Sequence, residues 1–179
     1  MKHPAQSNLL SRERGAVLVV ALLMLLVMTI LGVTAMQMSR MEERMAGNSR
    51  DINLAFQGAE AGLRNGEDRL RLLTVRPTTC TTAPCAFWRR DVITVSKRDQ
   101  PLTWWNTNGR EYGVAATPEV AGVTRDPMIV VEEVGFVPDS LTVGHGPPEG
   151  RNFYRVTSNS AGASNTAEAV LESTYAKRF

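Results

Sequence analysis

The sequence is poor in the residues and motifs that support catalysis or metal binding. Of its 179 residues only two are histidine and two are cysteine, and aromatic residues make up 6%. It contains no G-x-S-x-G, P-loop, G-x-G-x-x-G or H-E-x-x-H motif. His145 lies in a stretch rich in glycine and proline, where a lone histidine is more often solvated than catalytic. We therefore predict that the protein is not an enzyme and uses no cofactor and no metal.

A surplus of positive charge is also absent once the first 15 residues are set aside. The whole chain has 20 basic and 18 acidic residues. Residues 1–15 hold three of the basic residues (Lys2, Arg12, Arg14) and one acid (Glu13), so 17 of each sign remain. The rest of the chain is formally neutral and lacks the basic patch typical of nucleic-acid-binding proteins.

The most prominent feature that is present is one long apolar run. Residues 16–36 carry no charge, and the next ionised side chain is Arg40. About 20 helical residues span about 30 Å, the thickness of a bilayer core. The run therefore predicts a membrane-embedded helix, and the basic residues before it place the N-terminus in the cytoplasm and the C-terminal part across the membrane.

The small residues Gly15 and Ala16 lie on the charged side of this run. A secretory signal peptide has a shorter apolar stretch, roughly 7–15 residues, followed by its small-residue cleavage site. Two interpretations remain. The segment is an uncleaved signal anchor, or cleavage between Gly15 and Ala16 removes residues 1–15 and keeps the apolar helix.

The helical pattern continues beyond the membrane. Apolar or small residues recur every seven positions from residue 38 to residue 73, and Pro77 ends the pattern. We predict one helix over about 16–73, with a transmembrane half (16–39) and an amphipathic half (40–73). Gly58, Gly62 and Gly66 lie on one side of it, where a β-sheet or another helix could approach closely.

Residues 74–179 have the composition of a β-rich domain. Alternating or apolar stretches predict strands at 91–96, at 128–137 with a bend at Gly135, at 153–158 and at 166–175. The last two strands form a hairpin around a polar turn that contains Gly162. The predicted fold is α+β, with the amphipathic half of the helix lying on an antiparallel sheet.

Other polar residues allow several interpretations. Cys80 and Cys85 form a disulfide if this part is exported, with free thiols or a zinc site as alternatives. Glu132 and Glu133 are successive strand residues and point to opposite faces, so they do not act as a catalytic pair. Three loop carboxylates could bind calcium but lack the spacing of a calcium loop; these are Asp126, Asp139 and Glu149. Three tryptophans could form an adhesive surface, but we favour packing in the core or in loops; these are Trp88, Trp104 and Trp105.

Several segments together resemble PilX-like minor pilins of Gram-negative type IV pilus systems. They are Arg14-Gly15 before the apolar run 16–36, residues 42–48 and 53–61, and the hairpin residues 153–157 and 167–175. The resemblance implies a pilin-like fold, with a periplasmic β-rich head domain over residues 74–179. It also implies that residues 1–15 are a leader cleaved between Gly15 and Ala16 by a prepilin peptidase, and that Ala16 is then N-methylated.

The resemblance further implies a function in pilus assembly. The mature protein would wait in the inner membrane, join other minor pilins in a complex that primes assembly, and end near the pilus tip. Its expected partners are those minor pilins, the major pilin, the prepilin peptidase, the inner-membrane assembly platform and membrane lipid, without nucleic acid.

Val20 departs from the pattern of major pilins, which have glutamate at the fifth mature residue. The first mature residue, Ala16, also replaces the usual phenylalanine. Because the glutamate pairs with the N-terminus of the subunit ahead, its absence predicts a tip position, as in the tip pseudopilin of type II secretion. A type II secretion pseudopilin and a signal-anchored envelope protein are the alternative functions.

Overall fold

A computed structural model describes residues 13–113, 119–139 and 149–179, with side chains described from residue 15. A single long helix precedes a β-rich part. The helices are α1 (Glu13–Leu72) and α2 (Leu102–Asn108), a 3-10 turn covers Lys97–Asp99, and the strands are β1 (Arg110–Glu111), β2 (Met128–Pro138), β3 (Gly150–Ala161) and β4 (Glu168–Lys177). The predicted helix over 16–73 is confirmed.

The four strands form one antiparallel sheet in the order β1-β2-β3-β4. The register between β2 and β3 shifts between Glu133 and Gly135, where the sequence predicts a bend. The β3–β4 register runs without a shift from Asn152–Lys177 to Ala161–Glu168. The predicted strand at 128–137 and the predicted hairpin are therefore confirmed, and so is the α+β fold.

The chain divides into two compact units, Met1–Gly47 and Asn48–Phe179. In the first unit, every side chain from residue 15 to residue 47 is exposed. The second unit contains the remainder of α1 together with the sheet, and it holds all the buried side chains, beginning at Ala55.

Three glycines let the second part of α1 approach β3 closely. A Cβ atom added to any of them would lie within 2.5 Å of a β3 side-chain atom; the pairs are Gly58 with Ser160, Gly62 with Ser158 and Gly66 with Val156. Four helical residues advance about 6 Å and two strand residues about 6.7 Å, so the two repeats nearly match. Since the helix numbers rise as the strand numbers fall, α1 and β3 run antiparallel.

The sheet has a packed core on each face. On the face of α1, the buried residues are Leu70, Ile129, Val131, Tyr154 and Val156. On the opposite face, the segment that precedes β1 covers the sheet, and the buried residues are Trp88, Trp105, Met128 and Val130. The β2 strand is thus buried on both faces, which explains its nearly continuous apolar sequence.

The predicted strand at 91–96 is wrong. Asp91 has φ of 61°, a left-handed conformation that interrupts an extended chain. Val92 and Ile93 pack against the core on the face away from α1 instead of joining the sheet. The outer edge of β2 is also already occupied, because the Trp88 backbone N–H donates to the Val131 carbonyl at 2.8 Å.

Candidate processing site and assembly surfaces

The Gly15–Ala16 bond lies in the first turns of α1, which begins at Glu13. Both residues are exposed, and apart from the adjacent residues and the nearby helix backbone no described atom lies within 4 Å of the position that a Gly15 Cβ would take. Within the part of the chain that the structure describes, nothing covers the bond. Residues 1–12, which include most of the predicted leader, lie outside the described residues, as does His145.

The first unit presents an apolar surface without cover from the rest of the described chain. Within the described residues, one helix, Gly15–Leu72, is long and apolar enough to cross a membrane by length and composition. Val20 lies on it and is 54% exposed. The helix could therefore be a membrane anchor.

The hydroxyl groups in this apolar surface are satisfied by the helix itself. Thr29 donates to the Leu26 carbonyl at 2.8 Å, and Thr34 donates to the Leu31 carbonyl at 2.9 Å. In a bilayer core an unsatisfied polar group is expensive. These bonds allow two threonines to lie in hydrocarbon without a polar partner from another helix.

Cys80 and Cys85 are joined by a disulfide with a Cα–Cα distance of 5.9 Å. This fits the predicted pairing and leaves neither sulfur free as a zinc ligand. The enclosed loop is attached to the sheet through its neighbours. The Cys80 N–H donates to the Phe87 carbonyl at 3.0 Å, and Trp88 forms isolated bridges with both Cys80 and Glu132.

The tandem carboxylates point to opposite faces of β2, as predicted. Glu132 forms an ion pair with the buried Lys97 on the face away from α1, and Glu133 pairs with Arg76 on the other face. Both carboxylates are buried. Each therefore attaches an irregular segment to the sheet.

The carboxylates considered as calcium ligands have separate roles. Asp126 accepts hydrogen bonds from the backbone N–H groups of Glu119 and Val120 at 2.9 and 3.0 Å. Asp139 pairs with Arg151 and Arg178. Across residues 13–113, 119–139 and 149–179, no group of three or more potential ligands gathers that could hold a metal ion.

Trp88 and Trp105 belong to the core rather than to an adhesive surface. They are 3% and 1% exposed, and the Trp88 Nε1 donates to the Asn108 carbonyl at 3.0 Å. Trp104 is half-buried and packs edge-on against Trp105, with ring centroids 5.2 Å apart. Since Trp104 also packs against the core cluster, all three tryptophans fit the interpretation as core or loop packing.

Sequence reasoning missed two connections that attach the C-terminal hairpin to α1. The Lys177 Nζ donates to the carbonyl oxygens of Leu70, Arg71 and Leu73 at 2.7, 2.6 and 2.5 Å. It satisfies the carbonyls of Arg71 and Leu73, which have no helical partner at a helix C-terminus, and adds a second donor to the Leu70 carbonyl, which also accepts from the Leu73 N–H at 3.3 Å. A lysine near the end of a strand has no local pattern that would reveal this contact.

The second connection joins Asp51 to the turn between β3 and β4. The Asp51 carboxylate accepts hydrogen bonds from the Ser164 hydroxyl and from the Ser164 N–H, the latter at 3.0 Å. The Ser164 hydroxyl is the main reason that the pKa of Asp51 lies below its usual range. Gly162 is required beside it, since an added Cβ would lie 2.4 Å from the Asp51 carbonyl oxygen.

Comparison with protein families accounts for most of the chain. A model described as PilX N-terminal matches residues 14–64, and a model described as type IV pilus assembly protein PilX C-term matches residues 71–177. No curated protein and no solved structure matches. With an exposed apolar helix followed by a helix–sheet head, and with both family models matched in order, the chain belongs to the PilX family of type IV pilus assembly proteins.

Proposed function

We propose that this protein is a minor pilin that primes type IV pilus assembly within a complex at the pilus tip. The observation that carries the proposal is the division of α1. Its apolar residues 16–39 have no cover in the described chain, whereas from Asn48 onward it is packed on its own sheet through Gly58, Gly62 and Gly66. A subunit built to place its first helical part among other helices requires this division.

In this proposal a prepilin peptidase cuts between Gly15 and Ala16, and the new N-terminus is methylated. The open surroundings of Gly15 support the proposal, because a peptidase needs access to the bond. The mature protein is held in the inner membrane by residues 16–39, with the head over 74–179 in the periplasm. The Cys80–Cys85 disulfide supports an oxidising compartment.

Val20 supports a position at the tip. A carboxylate in hydrocarbon costs about 2.5–3.5 kcal/mol on insertion scales. That cost is offset when the carboxylate pairs with the charged N-terminus of the subunit ahead. The first subunit of a filament has no subunit ahead, so a valine at this position avoids the cost and loses nothing.

The test is the intact mass and N-terminal sequence of the protein purified from membranes, with and without a prepilin peptidase. We expect a chain that begins at N-methylated Ala16 only when the peptidase is present. The matched control is Gly15→Val, which blocks close approach to the bond and should leave residues 1–15 attached in both strains. A wild-type chain that keeps residues 1–15 in both strains would contradict the proposal and favour an uncleaved anchor.

A deletion strain separates pilus assembly from type II secretion. We expect loss of surface pili with secretion of exoproteins unchanged, and recovery of pili on expression of the wild-type chain. Loss of secretion with normal pili would instead assign the protein to the secretion machine.

A further inference from the structure

The β4 strand leaves one edge of the sheet open. Within the described residues β4 pairs with β3 alone, in a register free of bulges. The Gly162 N–H donates to the Ala167 carbonyl at 2.8 Å. The N–H and C=O groups of the odd-numbered residues that follow in β4 therefore point towards β3. Since backbone groups alternate along a strand, the N–H and C=O groups of the even-numbered residues 168–176 point outward.

This edge lacks the devices that usually prevent strand addition. Bulges, prolines and charged side chains protect natural edge strands. The β4 strand has neither a bulge nor a proline, and its Lys177 is bound to the carbonyl groups at the end of α1. Its two glutamates are each neutralised within the chain. Glu168 pairs with Arg125 at 2.5 Å and Glu172 pairs with Arg155 at 3.2 Å.

A groove of about 980 Å³ lies beside this edge, on the face away from α1. One wall is formed by β3 and β4 and the other by the segment 93–99. The positive and negative residues that line the two walls are equal in number. The charged lining consists of Lys97, Arg98 and Arg155 against Asp99, Glu168 and Glu172. An electroneutral polar groove suits an uncharged peptide segment better than an ion or an anionic surface.

The far wall of the groove is itself short of hydrogen-bond partners. Across the described part of the chain, the backbone N–H groups of residues 93–96 donate no hydrogen bond. Val95 in this segment is 46% exposed. Both walls therefore offer unpaired backbone groups to an incoming segment, and the segment 93–99 also offers the exposed apolar side chain of Val95.

We propose that the open edge of β4 accepts an extended segment of a different pilin subunit as a fifth strand of the sheet. The proposal rests on the proposed function, which supplies such subunits. On one face of the sheet, side chains of the added strand lie beside the half-buried Leu171 and Tyr175. We expect them to be apolar, because cross-strand neighbours pack against each other. Those on the other face enter the groove and are uncharged.

Site-specific photo-crosslinking in cells with the complete pilus system tests the partner. A photoreactive residue replaces Thr174, which is exposed and whose backbone N–H and C=O groups point away from β3. In the control, the photoreactive residue replaces Asp91, whose side chain is 82% exposed elsewhere on the head. We expect Thr174 to link to one alternating segment of a different pilin, and Asp91 to give no such product. A link from Thr174 to a second copy, to lipid or to no protein would overturn the proposal.

Two substitutions test the mechanism, with the photoreactive residue now at Ala176, which is exposed and leaves the charged lining of the groove intact. Thr174→Pro removes an outward N–H that β3 does not use, and Thr174→Lys adds a charge while every N–H remains. Loss of one hydrogen bond and the added strain should lower the cross-linked product about tenfold. Thr174→Ser, the matched control, should cross-link as the wild type does.

A thermal unfolding curve of each variant separates a folding defect from a binding defect. If Thr174→Pro does not fold, Thr174→Lys decides the question, and wild-type cross-linking by folded Thr174→Lys overturns the proposal. Failure of the proposed function gives a different result. It would appear as an unprocessed N-terminus in the intact mass, whatever the cross-links show.

Discussion

Val20 is the single residue whose identity bears most directly on position within a filament. It lies on an exposed apolar surface, so its replacement disturbs no packing within the described chain. A change in behaviour on substitution would therefore come from the membrane or from neighbouring subunits.

We predict that Val20→Glu moves the protein away from the first position of the filament. The carboxylate can be neutralised only where a subunit lies ahead, so variants that are inserted should enter the shaft. Quantitative mass spectrometry of sheared pili should show more copies per pilus, with fewer pili per cell. Val19→Glu is the matched control, because it has the same insertion cost at a neighbouring position and should not raise the copy number. Full complementation by Val20→Glu with unchanged copy number would contradict the tip assignment.

Asp51 makes the stability of the head dependent on pH in the acidic range. Its pKa is lowered in the folded state, chiefly by the Ser164 hydroxyl. The ionised Asp51 therefore contributes its stabilisation at pH values above its pKa in the unfolded chain, which is about 4. This stabilisation is lost as the pH falls through the lower pKa that Asp51 has in the folded protein.

We expect Ser164→Ala to lower the melting temperature at pH 7 and to have a progressively smaller effect below about pH 4. Melting curves between pH 2.5 and pH 7, each step at about equal ionic strength, measure this difference. Asn165→Ala, in the same exposed turn, is the control and should have no pH-dependent effect. An equal effect of Ser164→Ala at every pH would exclude the Asp51 carboxylate as its cause.

The contact between α1 and β3 is the element-scale feature that defines the head. Gly62 is its centre, where an added Cβ would lie 2.1 Å from the Ser158 Oγ and 2.9 Å from the Pro127 Cβ. The serine hydroxyl has no hydrogen-bond partner within the described chain, but the proline ring cannot rotate away. Alanine at this position therefore forces the helix from the sheet.

We predict that Gly62→Ala destabilises the head by about 1–3 kcal/mol through overpacking, although alanine favours a helix by up to about 1 kcal/mol. Gly47→Ala is the matched control, since no atom lies within 4 Å of its Cβ position, and it should leave the unfolding of the head unchanged. Adding Ser158→Ala should recover part of the loss. Denaturant unfolding measures all three, and wild-type stability of Gly62→Ala would refute the close contact.

The end of α1 depends on a side chain that comes 104 or more residues later in the sequence. Lys177 donates to three carbonyl oxygens there and places a positive charge at the negative end of the helix. Its removal leaves the Arg71 and Leu73 carbonyls without this partner, whereas the Leu70 carbonyl still accepts from the Leu73 N–H.

We expect Lys177→Met to destabilise the head by about 1.5–3 kcal/mol, the range for hydrogen bonds to a charged group. Arg71→Met is the control, because its exposed pair with Asp68 at 3.0 Å should contribute less than about 1 kcal/mol. Urea unfolding of both variants gives the comparison. A loss for Lys177→Met no greater than that for Arg71→Met would mean that solvent satisfies the helix end equally well.

At the scale of the whole molecule, the second unit contains every buried side chain among the described residues. All its buried residues lie between Ala55 and Ala167, and residues 15–47 contribute no buried side chain. We predict that residues 48–179, exported to the periplasm, form a monomer with a cooperative thermal transition and an intact Cys80–Cys85 disulfide. Circular dichroism and thiol titration test this, and a fragment without a cooperative transition would show that residues 1–47 are needed. The negative control is a shorter fragment, residues 60–179, which lacks Ala55 and its helical turn.

The sequence predicts those parts of the molecule whose pattern is local. The helix and the final hairpin follow from periodicity, and the glycine repeat in the helix indicates a close neighbour before the neighbour is known. By contrast, the segment between α1 and β2 is positioned by distant contacts, such as Lys97 with Glu132 and Trp88 with Val131. Alternation alone therefore mistook 91–96 for a strand. Lys177 and Asp51 were missed for the same reason, because each meets its partners more than 100 residues away.

The near match between the glycine repeat and β3 has a consequence for changes in chain length. Four residues of α1 and two residues of β3 differ in length by about 0.7 Å. Because this difference accumulates, the close approach cannot continue along the whole strand. The next position after Gly66 is Leu70, a bulky residue that packs with Tyr154. Insertion of one residue between Gly58 and Gly66 would rotate the following helix by about 100° and turn the remaining glycines away from the strand. This stretch should therefore accept some exchange of side chains but no insertion or deletion.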